Sequence, residues 1–272
     1  MIKEVLDNKI SLLQFLKKAY SSSLSNKTIK QALEKGCCTV NGKIERFASI
    51  KLSVQDVVSF KYSPSVNKKT RKPTVLFEDE YIYIIDKPVD LVSSQKSIQD
   101  FFSDSYLVHR LDKPTTGCMI IAKSLTVQKK FIDLFKSRKI KKTYYACVDK
   151  KVKGDKGIIR SYLYRKGYFQ GQTIWASNPQ SKGLYAETHW EKIAVKEDYS
   201  IIKCSPITGR THQLRVHMKE MGHPILKDAQ YCRSFFSKLS TNRLLLHAAE
   251  ISFEHPFTNS MLTVSSIPTF TQ

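Results

Sequence analysis

The order of apolar and polar residues predicts a small module of two helices and a hairpin at the start of the chain. Apolar residues cluster at 12–16, and they recur at helical spacing between about 25 and 36, where a glycine can end the helix in the left-handed conformation. Asn41-Gly42 is a strong short signal for a β-hairpin, and the apolar residues of 54–60 predict a closing strand. We therefore expect an α+β module over 9–62.

Residues 63–74 differ in pattern from both of their neighbours. They hold two prolines around polar and basic residues, and they show no hydrophobic periodicity. Such a composition is typical of a connecting segment rather than a helix or a strand. We predict a basic linker here.

Strand patterns dominate the remainder of the chain. An apolar strand from Val75, an acidic turn and an alternating strand that ends before Pro88 open this zone, and apolar residues between Leu125 and Phe135 repeat at helical spacing. An apolar run lies at 118–122, and further strands are predicted near 172–176, 185–194 and 199–204. Because no sustained β-α-β rhythm occurs, we expect an α+β domain with a mixed, largely antiparallel sheet over 75–270.

The composition indicates a globular protein. Of its 272 residues, 41% are hydrophobic and 11% are aromatic, which excludes wholesale disorder. No stretch approaches the roughly 18 uninterrupted apolar residues of a transmembrane helix. The first residues include acidic side chains where a signal peptide would have its apolar core. We predict a cytoplasmic protein, with a monomer as the default state.

The formal net charge of +21 points to a polyanionic partner. RNA, DNA and an anionic membrane all satisfy that charge, although no basic amphipathic helix with an aromatic face favours the membrane. Residues 1–73 carry 15 basic and 5 acidic residues, and the other 199 carry 30 and 19, so positive charge is densest at the N-terminus. Charge alone is equally consistent with a solubilising surface.

Six cysteines are present, and no pair has the spacing of a zinc knuckle, so we expect reduced thiols. The chain also lacks a Rossmann glycine string, a phosphate-binding loop and a metal-ligand cluster. We expect neither a cofactor nor a metal ion.

Two strings about a hundred residues apart carry the candidate chemistry. Residues 109–117 read His-Arg-Leu-Asp-Lys-Pro-Thr-Thr-Gly, and residues 206–217 read Pro-Ile-Thr-Gly-Arg-Thr-His-Gln-Leu-Arg-Val-His. The first offers a carboxylate, Asp112, and the second offers guanidinium groups that could hold it ionised. A lone aspartate in a loop most often caps a turn, and a lone arginine most often lies on the surface, so these residue types alone leave a structural role open.

Together the two strings resemble the active-site strings of the RluA-type pseudouridine synthases, enzymes that isomerise uridine within RNA. The resemblance implies that Asp112 is the nucleophile and that Arg215, which we expect on a distant strand, forms an ion pair with it. In Lys142-Thr-Tyr-Tyr-Ala, a match to the family's Lys-x-Tyr-x-Ala pattern, it implies that Tyr144 stacks on the target base. A structural role in the core remains the alternative for Tyr144. Tyr145 is the competing candidate, since it would point to the opposite face of the strand.

The resemblance also assigns contacts to the RNA. It implies that Arg110 fills the gap left by the everted uridine, while Arg210 and the hydroxyl of Thr116 support the loop or bind RNA. The family's attack site is either a ribose carbon or a uracil ring carbon, and the sequence does not choose between them. The isomerisation involves no redox change, which agrees with the expected lack of a cofactor.

The N-terminal pattern resembles the RNA-binding domain of ribosomal protein S four. The matching residues are Ser25, Ile29, Leu33, Gly36, Val40, Asn41, Gly42 and Asp56. The resemblance implies that basic side chains there, namely Lys27, Lys30 and Lys35, contact RNA phosphates. The family often has arginine where this chain has Asn26.

Three positions depart from the enzyme family's pattern, so the geometry of the loops that contain them is an open question at this point. Pro114 stands where the family has another residue, and Asp90 and Lys227 stand where it favours glycine. The histidines of the two strings, His109 and His212 among them, lack zinc spacing, and we expect structural hydrogen bonds from them.

The sequence thus predicts an enzyme that converts specific uridines of structured RNA to pseudouridine. Large-subunit ribosomal RNA is the expected substrate, and transfer RNA is the alternative. A non-catalytic RNA-binding or assembly protein of the same fold is the second hypothesis, although binding alone needs no carboxylate–guanidinium pair. A hydrolase is disfavoured because no second carboxylate stands at a convincing spacing.

Overall fold

The computed structural model describes most of the chain. The described residues are 2–4, 10–20, 24–34, 36–62, 71–169, 172–178, 182–232 and 234–270. The chain divides into two compact units, the N-terminal unit (1–68 with 168–172) and the larger unit (69–167 with 173–272). Within the described ranges, no helix has the length and apolar character needed to cross a membrane. The assignment of 9–62 and 75–270 as functional domains stays a prediction.

In its described residues, the N-terminal unit consists of two helices and a four-stranded sheet. The helices are α1 (Leu12–Ala19) and α2 (Asn26–Glu34), and the strands are β1 (Ile2–Glu4), β2 (Cys38–Val40), β3 (Lys43–Ile44) and β4 (Val57–Phe60). The strand order is β1-β4-β2-β3, with antiparallel neighbours. Apolar side chains of both helices and of β2 and β4 share one core, which includes Leu12, Leu16, Ile29 and Leu33.

Local sequence signals explain where these elements begin and end. Ser11 and Gln14 cap α1 reciprocally, and the Ser25 hydroxyl accepts a hydrogen bond from the Thr28 N–H at 3.1 Å at the start of α2. Asn41 and Gly42 adopt φ of 49° and 80°, the conformation of a two-residue hairpin turn. The predicted helices, hairpin and closing strand are confirmed.

One large sheet organises the larger unit. The strands are β5 (Thr74–Glu78), β6 (Ile82–Lys87), β7 (Tyr106–Leu107), β8 (Thr116–Ala122), β9 (Lys141–Asp149), β10 (Lys156–Phe169), β11 (Gln172–Asn178), β12 (Leu184–Val195), β13 (Tyr199–Pro206), β14 (Leu246–Glu254) and β15 (Met261–Ser265). Their order along the main path of the sheet is β11-β10-β12-β13-β9-β14-β8-β6-β5, with β15 paired to β14 and β7 paired to β8. β14 and β8 run parallel, and the other pairs with a recorded register run antiparallel. This architecture confirms the predicted α+β class.

Three helices accompany this sheet, namely α3 (Gln95–Gln99), α4 (Leu125–Lys136) and α5 (Gln213–Glu220). Phe131 of α4 packs into a core with residues of β6, β8 and β14. Leu214 and Met218 of α5 share a second core with residues of β9 and β13. The sheet thereby brings the end of the 109–115 loop, β9 and α5 into one neighbourhood.

The sequence pattern misses several elements of the larger unit. It predicts no strand over the 14 residues of β10, because glycines and charged residues interrupt the apolar alternation there. The expectation that Arg215 lies on a strand is wrong, since it lies in helix α5. Residues 213–218 are all buried, so the helix lacks the one-sided apolar pattern by which a helix is recognised.

Candidate active site

The loop that carries Asp112 is held by backbone and hydroxyl contacts. The Thr115 N–H donates to the Asp112 carbonyl at 3.0 Å, which closes a four-residue turn around Pro114. The preceding Leu111 is buried, and the Ser93 hydroxyl contacts both its N–H, at 3.2 Å, and its carbonyl, at 2.8 Å. The loop is therefore fixed on both sides of Asp112, whose side chain keeps 24% of its surface exposed.

Lys87 joins this loop to the loop that follows β6. Its fully buried ammonium donates to the carbonyls of Pro88, Leu91 and Lys113 at 2.9, 3.0 and 3.1 Å. Burial lowers the pKa of Lys87 to about 8, while the nearby Asp112 carboxylate acts in the opposite direction. The side chain thus supplies a positive charge and three hydrogen bonds beneath the Asp112 loop.

Replacing Lys87 with methionine is expected to lower the free energy of unfolding by about 2–3 kcal/mol, because three carbonyl oxygens each lose a hydrogen bond from the ammonium. Urea denaturation followed by circular dichroism measures this loss. Lys113→Met is the matched control, since its side chain is exposed although its carbonyl accepts from Lys87. We expect less than about 0.5 kcal/mol from the control. Equal losses in the two variants would contradict the role given to the Lys87 ammonium.

Arg215 approaches Asp112 from α5. Its Nη1 donates to Asp112 Oδ2 at 3.3 Å, whereas Nε and Nη2 donate to the two oxygens of Asp228 at 2.7 Å each. Nη2 also donates to Gln230 Oε1 at 2.7 Å, and the guanidinium lies 4.9 Å from the centre of the Tyr231 ring. The two-point contact with Asp228 therefore fixes the guanidinium plane and leaves one N–H edge for Asp112.

This sharing determines the charge balance around Asp112. Burial opposes the charge of Arg215, yet hydrogen bonds and attraction from Asp228 raise its pKa above the usual value, so it stays cationic. Two carboxylates then share one guanidinium. Asp112 makes only the longer, single contact, so one of its oxygens is not engaged by Arg215. Such an arrangement keeps a carboxylate aimed while leaving it able to react.

Asp112 and Arg215 lie in a cavity of about 700 Å³. The 109–115 loop, β9, α5 and the turn before α5 line it. The lining includes four exposed cationic residues, namely Arg110, Lys136, Arg138 and Arg210. The volume suits a nucleotide base, and the charge suits a polyanion.

Tyr144 lies on β9 within the lining of this cavity. Burial raises its pKa well above 10, and the nearby Asp112 charge acts in the same direction. The phenol therefore stays protonated near neutral pH. Its neighbour Tyr145, on the other face of the strand, packs into a different core with Cys147 and Leu245. Of the two candidate tyrosines, Tyr144 is the one that lines the cavity.

Residues 81–220 match the family described as RNA pseudouridylate synthase, over just more than half of the chain. The chain belongs to this family. It is 35% identical over 199 residues to the dual-specificity RNA pseudouridine synthase RluA of Yersinia pestis, which covers 67% of this chain and 92% of that relative. It is 29% identical over 270 residues to the ribosomal large subunit pseudouridine synthase C of Pasteurella multocida, covering 88% of this chain and 81% of the relative.

Solved structures of human pseudouridylate synthase domains share the fold. The human RNA pseudouridylate synthase domain containing 4 superposes with a TM-score of 0.60 at 24% identity, covering 72% of this chain and 89% of that one. Domain containing 1 gives 0.61 at 21% identity, with 76% and 86% covered. These structures confirm the predicted fold, and the family match with the two relatives confirms the predicted enzyme class, RNA pseudouridine synthase.

The structure gathers some of the predicted site residues of this pseudouridine synthase and not others. Asp112, Tyr144 and Arg215 share the cavity with Arg110 and Arg210. The Nε of Arg210 donates to the Tyr185 carbonyl at 3.0 Å, and the rest of its side chain is exposed.

Thr116 is not among the cavity-lining residues. It is buried at the start of β8, where its hydroxyl lies 2.8 Å from His247 Nδ1 and accepts from Arg243 at 3.4 Å. The neighbouring Thr115 lines the cavity instead, and its buried hydroxyl has no hydrogen-bond partner among the described residues. A Thr-Thr pair in the sequence does not reveal which hydroxyl faces the site.

The predicted RNA-binding lysines lie in or near the N-terminal unit. Lys30 is exposed on α2. The side chain of Lys27 and the whole of Lys35 lie outside the described residues. Their contacts with RNA stay predictions.

Sequence reasoning gave no role to two residues that support the site. Asp228, the two-point partner of Arg215, lies in the string Gly222-His-Pro-Ile-Leu-Lys-Asp, which matches the family. Lys87 lies in a Lys-Pro match. Both residues were visible as family matches, but only the three-dimensional structure shows what their side chains contact.

The two residues that replace the family's glycines adopt the left-handed backbone conformation that glycine favours. Asp90 has φ of 69° and Lys227 has φ of 62°. Asp90 also donates its N–H to the Lys113 carbonyl at 3.1 Å, in the loop that carries Asp112. The left-handed backbone is therefore retained at both positions, at a cost of about 1–2 kcal/mol each relative to a relaxed residue.

Two of the histidines in the strings serve structural contacts, as expected. His109 accepts from the Ile120 N–H at 2.9 Å through Nε2, and burial lowers its pKa to about 3. The ring of His217 bridges the hydroxyls of Ser161 and Thr188 at 3.0 and 2.9 Å. In the part of the chain that the structure describes, no group of three His, Cys, Asp or Glu side chains is placed to share a metal ion.

Proposed function

We propose that this pseudouridine synthase isomerises uridine in large-subunit ribosomal RNA and that Asp112 is its nucleophile. The observation that carries the proposal is the Asp112–Arg215 pair at 3.3 Å inside an open cavity rimmed by arginine and lysine side chains. A single carboxylate that is ionised, aimed and accessible is what covalent catalysis requires.

The reaction defines what the site must do. The bond from ribose C1′ to uracil N1 breaks, the base turns, and a bond from C1′ to C5 forms, while a proton leaves C5 and another reaches N1. Asp112 forms the temporary covalent bond to the substrate, and Arg215 holds its carboxylate in position through the Nη1 contact. The contact with Asp228 keeps the guanidinium in place while Asp112 forms and then releases its covalent bond to the substrate.

Tyr144 and Arg110 handle the base and the space that it leaves. The Tyr144 ring, whose hydroxyl stays protonated, offers an aromatic face on which an everted uracil stacks. Arg110 is exposed at the cavity and can enter the RNA stack when the uridine leaves it. Eversion costs about a few kcal/mol, which phosphate contacts to the surrounding cations supply.

The choice of ribosomal RNA rests on the extent of the resemblance. The relative named ribosomal large subunit pseudouridine synthase C aligns with 88% of this chain, whereas the dual-specificity relative aligns with 67%. We assign RNA capture to the domain at 9–62, using Lys27, Lys30 and Lys35, and catalysis to the domain at 75–270. The protein acts as a cytoplasmic monomer in this proposal.

The test is pseudouridine formation in defined transcripts. Purified protein is incubated with large-subunit ribosomal RNA and with transfer RNA, and pseudouridines are mapped by carbodiimide labelling and primer extension. We expect modification at discrete positions of the ribosomal RNA, with a rate that falls steeply as salt rises. Modification of transfer RNA alone would favour the alternative substrate. Tight binding of both RNAs without any pseudouridine would support the non-catalytic hypothesis instead.

A further inference from the structure

His212 stands beside the nucleophile, yet none of the roles proposed above uses it. It lines the cavity, its side chain is 15% exposed, and its Nε2 lies 3.9 Å from Asp112 Oδ2. That distance is too long for a hydrogen bond but short enough for both atoms to contact one substrate ring. The position makes His212 a candidate for direct contact with the reacting base.

The backbone at His212 is strained in a way that directs its side chain. Its φ of 57° and ψ of 17° are left-handed, a conformation that costs a residue with a side chain about 1–2 kcal/mol. His212 occupies the N-cap position of α5, but its side chain makes no capping hydrogen bond. The imidazole is turned into the cavity instead, and strain of this kind is concentrated at functional sites.

A hydrogen-bond chain fixes which nitrogen of His212 carries the proton. The Trp175 N–H points at the Tyr231 hydroxyl oxygen, 3.2 Å away, and a backbone N–H can only donate. The same hydroxyl lies 2.7 Å from His212 Nδ1. Among the described residues, the Tyr231 hydroxyl proton has no other acceptor within hydrogen-bond distance. We infer that it is donated to Nδ1, which then acts as an acceptor.

A neutral imidazole with an acceptor at Nδ1 carries its proton on Nε2. Burial lowers the pKa of His212 below its usual value, with the neighbouring Arg215 acting in the same direction and Asp112 and Asp228 opposing them, so the ring is neutral at pH 7. The result is an N–H donor that faces the nucleophile. No described residue lies within hydrogen-bond distance of Nε2 to accept this proton.

We propose that His212 is a further catalytic residue, whose Nε2–H donates a hydrogen bond to a carbonyl oxygen of the uracil ring. This rests on the proposed function of the same cavity. Negative charge develops on the uracil carbonyl oxygens whether the carboxylate attacks the ribose and releases the base or adds to the ring. A fixed N–H donor in a site partly shielded from water stabilises that charge.

The donors of Arg215 are already committed. The Arg215 Nη1 edge contacts Asp112, and its remaining groups contact Asp228 and Gln230. His212 Nε2–H is free for the substrate, and Tyr231 with the Trp175 backbone holds it in that tautomer before the RNA arrives. The donor then needs no rearrangement when charge develops.

Two substitutions at His212 separate a donor from a merely structural side chain. His212→Leu has similar bulk and no N–H, and we expect its single-turnover rate to fall about 10²-fold with RNA affinity unchanged. His212→Gln restores an amide N–H near the Nε2 position, and we expect it to recover a rate within about tenfold of the unsubstituted protein. Both variants share the left-handed backbone strain, so thermal unfolding checks that they are folded to the same extent.

Tyr231→Phe tests the tautomer without touching His212. The ring over Arg215 remains, but the proton donor to Nδ1 is lost. Nitrogen NMR of protein with ¹⁵N-labelled histidine, assigned through the His212 variants, reads the tautomer directly. We expect Nε2 protonation in the unsubstituted protein and a mixture of tautomers in Tyr231→Phe. His189→Leu, an exposed histidine on β12 outside the cavity lining, is the control and should keep the normal rate.

The outcomes distinguish this proposal from the proposed function. A normal rate for His212→Leu, or a spectrum that places the proton on Nδ1, would overturn the role of His212 while leaving the isomerase intact. A rate for His212→Gln as low as that of His212→Leu would also contradict it. An unsubstituted protein that makes no pseudouridine in either RNA would overturn both, since the charge on the uracil ring would then never develop.

Discussion

Replacing Asp112 with asparagine is expected to reduce pseudouridine formation by about 10⁴-fold or more, as for the loss of other enzymatic nucleophiles. The amide is nearly the same size as the carboxylate, and its oxygen can still accept from Arg215 Nη1. It cannot form the covalent bond to the substrate, however, because it is a far weaker nucleophile. RNA affinity should stay within about twofold, since phosphate contacts dominate it.

The measurement compares single-turnover modification with filter binding of the same RNA. Asp104→Asn is a suitable control, because Asp104 is exposed, lies outside the cavity lining and has φ of 52°, which asparagine tolerates. The control should modify RNA at the normal rate. An Asp112→Asn protein that modifies uridine as fast as its parent would remove the nucleophile from this mechanism.

The candidate residues Asp112 and Arg215 could be proposed from the sequence because each lies in a compact string that resembles a family motif. The resemblance did not predict the backbone around Arg215, which lies in a helix and not on a strand. The hairpin at Asn41-Gly42 could be predicted because its turn depends on two neighbouring residues. Features that are encoded locally could be read without knowing the fold.

What could not be predicted depends on packing between distant segments. The two-point contact of Asp228 with Arg215 joins segments that are distant in sequence, and the neighbouring Gln230 and Tyr231 make hydrogen bonds with β11. α5 escaped prediction because sheet and loops bury it on all sides, which removes the one-sided pattern. The choice of Thr115 over Thr116 at the cavity is likewise set by the start of β8.

Replacing Arg215 with methionine is expected to lower both the free energy of unfolding and the rate of pseudouridine formation. Asp228, whose side chain is only 1% exposed, would become a buried carboxylate without its cation, which costs about 3–5 kcal/mol of unfolding free energy. Asp112 would also lose the guanidinium contact that holds it in position. We expect pseudouridine formation to fall by at least about 10³-fold, measured under conditions in which the variant is still folded.

The double variant Arg215→Met/Asp228→Asn separates these two effects. Removing the buried charge together with its partner should restore most of the lost stability, since a paired loss leaves no uncompensated ion. It should not restore activity, because Asp112 still lacks a guanidinium. Urea denaturation and single-turnover assays on the two variants give the comparison. If the double variant regained activity along with stability, Arg215 would be a structural support for Asp228 and not a partner that Asp112 needs for the reaction.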